Sequence, residues 1–462
     1  MSFLNFYTAA NTGPPPGQTA LAQELVHRPT PREGFALKGC ILRPGEPLDP
    51  GYVEVGPSGS ITAVTEKAPA HTRMIDTDGI ILPGLIDLHN HPEYNVFPAW
   101  EPPTLFANRY QWRASDLYKQ LIADPQDRLI PGLPRQTELR YSQVRALVGG
   151  VTAVQGASWR DAGSSPSLIR TVDQQIFGEH RGRAMVDLPS SDTGAGADQL
   201  RQILRDIEAG SANAFFVHLA EGTREDRESL SEFDRLVSFQ ALTEATIVIH
   251  GVAMTQSQLG DLRDAGGKLV WSPQSNLRLY GETTRAAEAL EMGLPVAVGA
   301  DWLPSGSPSL LAELRTAGRV LHAQHTPLAA RDLVHMVTRG PARISGLAEM
   351  LGVLAPHRVA DMVVLQRLHA DPWQSVLLSD RANVQAVFLQ GSLAYGEDCI
   401  ADELDLIVDG TTRQFVIAWG RRMVLDTGTE PCPSGSQIPA PNLEQLRSEI
   451  IRLFPAVGPV FA

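Results

Sequence analysis

The stretch IILPGLIDLHNH (residues 80–91) decides how the rest of the chain is read. Residues 80–87 form an apolar run of strand length, and the run leads into His89-Asn90-His91. In an extended chain residues i and i+2 point to the same side, so both imidazoles can face one site. With 12 histidines among 462 residues, a His-x-His pair arises by chance about 0.3 times per chain, so alone it is weak. The pattern downstream of the pair is more specific. From about Gly79 to about Leu347 short apolar runs alternate with helical stretches, the next strands being expected at 151–156, 170–177, 183–189, 214–220, 245–250, 268–272 and 295–300. Helical stretches such as 198–209 carry apolar residues three and four apart. Eight strands separated by helices over roughly 270 residues fit an α/β chain folded as a (β/α)8 TIM-like barrel. The segment 157–213 is short for two complete strand–helix units, and 170–177 is the weakest strand.

The flanks have another texture. Residues 1–34, with GPPPG at 13–17, read as an arm without a core of its own. Residues 35–78 alternate apolar runs (FALKGCIL, YVEVG, ITAV) with Pro-Gly and Ser-Gly turn signals. Strands return within 348–425, at 359–365, 384–391, 404–410 and 414–420. These two segments are expected to build one small β-sandwich around the barrel of 79–347. A C-terminal extension, 426–462, carries a helix at 442–454.

Composition excludes several classes. Apolar residues are 43% and charged residues 20%, the balance of a soluble globular protein. The formal charge is −13, from 39 Lys and Arg against 52 Asp and Glu, a field that disfavours nucleic acid and acidic membrane surfaces. No apolar run approaches the roughly 20 residues of a membrane span. The opening residues lack the basic and apolar regions of a secretory signal. Cys40, Cys399 and Cys432 are far apart, the usage of a reducing cytosol, and form no thiolate cluster. The expectation is a cytoplasmic protein with a small-molecule substrate and no nucleic-acid or membrane partner.

The C-terminal ends of barrel strands are where catalytic groups sit in this fold. The first strand leads to His89 and His91, the fifth to His218 with Glu221 three residues on, the sixth to His250 and the eighth to Asp301. Three imidazoles and a carboxylate suit one divalent ion, Zn²⁺ first and Fe²⁺ second, with an open position for water. A bound metal lowers the pKa of that water toward about 7. Glu221 is then the expected proton shuttle, with His250 and Asp301 orienting the hydroxide.

With these residues in view, the chain resembles the amidohydrolase superfamily, specifically the branch of cytosine and guanine deaminases and triazine (ATZ/TRZ) hydrolases. The segments that carry the resemblance are LPGLIDLHNH (82–91), HLAEG (218–222), IHG (249–251), SPQSNLRLYG (272–281), GADWLPSGS (299–307) and GVLAPHRVADMVVL (352–365). It implies a metal-bearing barrel beside a β-sandwich built from both chain ends. It further implies His89, His91, His218 and Asp301 as ligands and Glu221 and His250 as catalytic groups, although some members count the residue matching His250 as a ligand. Many relatives are dimers or larger, which implies a homo-oligomer. Binuclear relatives bridge two metals with a carboxylated lysine from the fourth strand. This chain has no lysine between Lys119 and Lys268, so that bridge is excluded, and Asp187 is the remaining carboxylate that could bridge. His357 stands where the family pattern usually has Gly, and a turn needing positive φ is strained there.

The substrate is less legible. The insertion EYNVFPAWEPPTLFANRYQWR (93–113) reads as a lid, with Tyr110, Trp112 and Arg113 as possible contacts. Gln155 ends the second strand, while Asn276 and Trp302 lie on the seventh and eighth loops, and all three are candidates for substrate contact. The expected function is a mononuclear metal-dependent hydrolase of non-peptide C–N bonds, first of all a deaminase of an amino-substituted heterocycle. Alternatives are an amide hydrolase acting on a cyclic or modified peptide-like metabolite, and an inactive barrel serving as a binding protein.

Overall fold

The chain enters its ordered part through β1 (Phe35–Ile41), β2 (Leu48–Val55) and β3 (Ile61–Thr65), then β4 (Met74–Pro83) and β5 (Leu85–Asp87). The apolar run 80–87 is therefore two strands rather than one. Its first half pairs antiparallel with a C-terminal strand, Pro83 opposite Met362, and its second half pairs parallel with residues 151–154. The break falls at Pro83-Gly84 for a local reason. Proline has no N–H to continue a ladder, and a side chain at residue 84 would collide with Thr152. The structure is a computed structural model that describes residues 24–29, 31, 33–134, 136–156, 166–174, 176–179, 181–432 and 434–461. The expected arm, 1–34, lies mostly outside the described residues.

After β5 come β6 (Val151–Val154), β7 (Arg170–Thr171), β8 (Gly182–Met185), β9 (Ala214–Leu219), β10 (Thr246–His250), β11 (Lys268–Trp271) and β12 (Val296–Val298). All eight strands are parallel, in a sheet β5-β6-β7 and a sheet β12-β11-β10-β9-β8. Every residue of β9 and β10 is buried, which is why these strands read as unbroken apolar runs. Alternate residues along β9 and β10, including Phe216 and Ile249, join Val270 of β11, Ala297 of β12, Ile86 and Ala153 in one core. At one margin the two sheets meet: Asp301 donates its N–H to the His89 carbonyl at 2.8 Å, and Asn90 bridges Asp301 in parallel sense. At the other margin the third unit is reduced. β7 has two residues where eight were expected, and no helix separates it from β8 among the described residues.

The chain returns through β13 (Met362–Leu365), β14 (Val384–Leu389), β15 (Ser392–Glu397), β16 (Arg413–Ala418) and β17 (Arg421–Asp426). These strands join the first four in one mixed nine-stranded sheet, ordered β16-β17-β15-β14-β13-β4-β1-β2-β3. Residues 404–410, expected as a strand, are not one. A hairpin turn at Gln390-Gly391, both at positive φ (49° and 72°), makes 392–397 the partner of β14 instead. Leu404, Leu406 and Val408 pack against the core beneath this sheet from irregular backbone. A second two-residue turn of the same kind, Trp419-Gly420, joins β16 to β17. The helix expected at 442–454 spans Leu443–Leu453, with Asn442 and Gln445 forming a capping box. His357 lies at φ 69°, the left-handed conformation that its neighbourhood requires. Among the described residues no helix is long and apolar enough to cross a membrane.

Candidate metal centre and proton-transfer pair

Four side chains converge at the C-terminal ends of the parallel strands. The Nε2 atoms of His89 and His218 are 3.1 Å apart, and those of His218 and His91 3.3 Å apart. Asp301 Oδ1 lies 3.3 Å from His89 Nε2 and 3.5 Å from His91 Nε2. Zinc holds nitrogen and carboxylate oxygen at about 2.0–2.1 Å, which separates donors at tetrahedral corners by about 3.3–3.4 Å. Four of the six separations among these donors match that spacing, the dimension of a site for an ion of that size. The described residues hold two groups suited to a metal, His89-His218-His250 and His89-His91-Asp301, and both contain His89, so they mark one locus. Burial pushes the ring pKa values down, that of His91 to about 3 and those of His89 and His218 well below the usual range. Such imidazoles are neutral and keep the lone pair that a metal takes.

The backbone aims these groups by unusual means. Ala220, His250 and Asp301 all lie at positive φ, 52°, 70° and 61°, each just where a strand ends. A non-glycine residue in this region costs about 1–2 kcal/mol, so each needs an anchor. Ala220 donates its N–H to buried Glu232 at 2.6 Å, and Asp301 donates its own to His89 at 2.8 Å. Gly251, directly after His250, donates to the Leu219 carbonyl at 3.0 Å. Asp87 accepts from the His89 N–H, the Ala300 N–H and the Asn90 amide, tying the first and last strands together. Ser272, closing β11, meets His89 Nδ1 at 2.7 Å and leaves Nε2 to the centre.

Glu221 and His250 form the wall beside this locus, Glu221 Oε2 lying 3.6 Å from His250 Nε2. Burial raises the Glu221 pKa, opposed by the charges of Arg109 and Arg113 and by the hydroxyl of Tyr280. Tyr280 donates to Glu221 Oε1 at 2.6 Å and accepts from the indole N–H of Trp112 at 2.9 Å. On the other side, Asn276 donates to His250 Nδ1 at 2.9 Å. The orientation of that amide follows from its neighbours: Thr283 accepts from the Trp271 indole at 2.7 Å and donates to Asn276 Oδ1 at 3.3 Å. The network thus places the His250 hydrogen on Nε2, facing Glu221. An Nε2 that carries hydrogen has no lone pair for a metal, which separates His250 from the other three histidines.

The insertion covers the mouth. Trp112, on the helix Arg109–Ala114, packs with Trp100, Tyr118 and Trp302, ring centroids 5.1–6.5 Å apart. Aromatic pairs at such distances contribute about 0.5–1.5 kcal/mol each beyond their burial. A narrow cavity beside the ligands is walled by Tyr94, Trp112, Arg113, Val186 and Trp302. Through Tyr94, Arg113 and Val186 it shares walls with a chamber of about 840 Å³ lined by residues 114–127 and 185–199.

Of the six candidates for substrate contact, Trp112, Arg113 and Trp302 line the narrow cavity, while Gln155 and Asn276 do not. Gln155 is buried behind β6, where its amide bonds to Asp173 as placed, or to Leu88 and Gly156 if turned over. Asn276 is fully buried and bonded at both ends. Asp187, the carboxylate weighed as a bridge, bonds Arg113 through both oxygens (2.9 Å each), lies 3.1 Å from Arg109, and lines the chamber and not the narrow cavity. Tyr110, the remaining lid candidate, bonds to Glu232 at 2.7 Å. Sequence reasoning misses Ser272, Tyr280, Arg109 and Glu232. Of these only Ser272, a hydroxyl closing an apolar strand, carries a local signal.

Several known proteins resemble this chain in sequence or fold. A 5-methylthioadenosine/S-adenosylhomocysteine deaminase of Teredinibacter turnerae is 27% identical over 220 residues, a match spanning about half of each chain (46%). The like-named protein of Syntrophobacter fumaroxidans is 24% identical over 356 residues, 70% of this chain and 81% of that one. Among solved structures, an atrazine chlorohydrolase variant from Arthrobacter aurescens TC1, complexed with zinc and atraton, superposes with a TM-score of 0.65. That match has 17% identity and covers 91% of this chain and 99% of the other, a likeness of fold. The model of the Amidohydrolase family matches residues 80–394, about two thirds of the sequence, and the chain belongs to that family.

Proposed function

We propose that the protein is a metal-dependent hydrolase of non-peptide C–N bonds that deaminates an amino-substituted heterocycle. The observation that carries this reading is the cluster of four donor atoms, with neighbouring separations of 3.1–3.5 Å, beside an opposed carboxylate and imidazole 3.6 Å apart. His89, His91, His218 and Asp301 would hold one divalent ion, zinc in the first instance. When bound, the metal supplies a water acidic enough to react near neutral pH. Glu221 takes the proton of the attacking water at Oε2 and returns it to the departing amine. In balance, a C–O bond forms, the C–N bond breaks, and ammonia leaves. His250 donates from Nε2 to the oxygen that adds to the ring carbon, and the charges of Arg109 and Arg113 oppose the rise that burial gives the Glu221 pKa.

The wider reading belongs to the same proposal. The eight parallel strands close as a (β/α)8 barrel over 79–347, the contact between β5 and β12 supporting closure. The segments 35–78 and 348–425 fold beside it as a β-sandwich, with 426–462 as an extension. Homo-oligomeric assembly and cytoplasmic location rest on the resemblance and on composition.

The narrow cavity, of about 20 Å³, has room for little more than a water beside its aromatic walls, and the adjoining chamber of about 840 Å³ has room for a ring with a large substituent. The names of the relatives, deaminases of thio-substituted adenosines, support the same substrate class. The test is a panel of aminopurines, adenosines with and without bulky 5′ substituents, and aminotriazines, scored for ammonia. Elemental mass spectrometry gives the metal content, and about one ion per chain is expected. Ammonia from a substituted adenosine establishes the reading. Carboxylate released from cyclic amides, with no ammonia from the panel, overturns it.

A further inference from the structure

We propose that Tyr280 is a positioning residue that assigns the transferred proton to one oxygen of Glu221, and that Trp112 makes this assignment depend on the docked insertion. The inference rests on the reading of Glu221 as the proton shuttle. Tyr280 and Glu221 are 2% and 4% exposed, so water does not compete for their contact. The direction of the chain follows from its first member. An indole N–H can only donate, so at 2.9 Å the Tyr280 oxygen is its acceptor. The single hydrogen of Tyr280 then points to Glu221 Oε1 at 2.6 Å.

A carboxylate oxygen that accepts so short a bond is held against carrying the proton itself, since protonation there would turn the phenol hydrogen away from its acceptor. Oε2, on the His250 side, is left to load and unload. The chain also crosses between separate parts of the sequence. Trp112 sits on the helix of the insertion, Tyr280 ends the helix Pro273–Tyr280 after β11, and Glu221 follows β9. Trp112 is also a wall of the narrow cavity, whereas Tyr280 is not. The docked insertion therefore completes the orientation of the shuttle through a group that does not line the cavity.

Three variants test this: Tyr280→Phe, Trp112→Phe and the double. Tyr280→Phe keeps the ring and removes one hydroxyl. We expect kcat to fall about tenfold to hundredfold, the effect of one buried hydrogen bond to a charged group, with KM within about twofold and metal content unchanged. With Tyr280 already Phe, adding Trp112→Phe should lower kcat by less than twofold further, since both act through one chain. A readout independent of turnover is the Trp112 indole resonance in ¹H–¹⁵N spectra, assigned by its loss in Trp112→Phe. It should shift upfield in Tyr280→Phe. An unchanged kcat in Tyr280→Phe, fully additive losses in the double variant, or an unmoved indole resonance each overturns the proposal. If the wild type releases no ammonia from any compound, the functional reading fails, while the indole resonance still decides whether the chain exists.

Discussion

Replacing Asn276 with Asp changes one atom type and should invert the hydrogen pattern of His250. In the wild type the amide donates to Nδ1, which leaves the ring hydrogen on Nε2. A carboxylate in the same place accepts, so Nδ1 must carry the hydrogen and Nε2 turns a lone pair toward Glu221. The carboxylate would accept from the Thr283 hydroxyl, which lies 3.3 Å from the Asn276 oxygen, while Thr284 gives its hydrogen to the His250 carbonyl. The magnitude follows from the two bonds exchanged. A neutral hydrogen bond contributes about 1 kcal/mol toward the working tautomer, and a charge-assisted one about 1.5–3 kcal/mol toward the wrong one. The sum, about 2.5–4 kcal/mol, corresponds to a loss in kcat of about 10²–10³-fold at about 1.4 kcal/mol per decade. Asn276→Ala removes only the first contribution, and its loss should be about five- to tenfold. The assay is steady-state ammonia release at saturating substrate, with metal content measured on each variant. The order is the decisive result. If the Asp variant is as active as the Ala variant or more so, the tautomer is not set by Asn276.

Other perturbations probe independent parts of the structure. Glu221→Gln should retain the metal, as elemental analysis will show, while turnover falls by about 10²–10⁴-fold. Glu313 is fully buried beneath the loop that follows Asp301, accepting from Ser307 and from the Gln274 N–H, and burial pushes its pKa up to about 8. The folded state then holds that proton more tightly than the unfolded chain, so stability declines as pH rises from about 4.5 to 8, by up to about 1.4 kcal/mol per unit. Urea unfolding at several pH values should show this slope, and Glu313→Gln should flatten it. His357→Gly relieves a left-handed side chain at φ 69° and should stabilise the protein by about 0.5–1 kcal/mol, read as a small rise in Tm.

The strands and their terminal residues were legible for a physical reason. Parallel strands covered on both faces need continuous apolar sequence, so a histidine or aspartate where such a run stops stands out. What failed to show was whatever depends on distant partners. Pro83-Gly84 looks like part of one strand until the C-terminal β13 claims its first half. Gln155 and Asn276 occupy the positions where substrate contacts are expected, and only packing shows that both point inward. Ser272 is 183 residues from His89, Glu232 is 123 from Arg109, and Tyr280 is 59 from Glu221. No local periodicity encodes such pairs. The left-handed residues at three strand ends were equally silent, because Ala220, His250 and Asp301 are not glycines.

Both members of the proton-transfer pair are reached by chains that begin at an indole, Trp271 through Thr283 and Asn276 to His250, and Trp112 through Tyr280 to Glu221. Indole nitrogen gives a hydrogen and never takes one, at any pH a protein survives. The two chains work like rectifiers in a circuit, conducting polarity one way only. A water molecule in either position would tumble as each proton passed and would have to be reset by solvent. Here the reset is built into the carbon skeleton of two tryptophans. In the proposed reaction the imidazole and the carboxylate would return to one pattern after each proton has come and gone, so the resting hydrogen arrangement is a property of the fold and not of the medium around it.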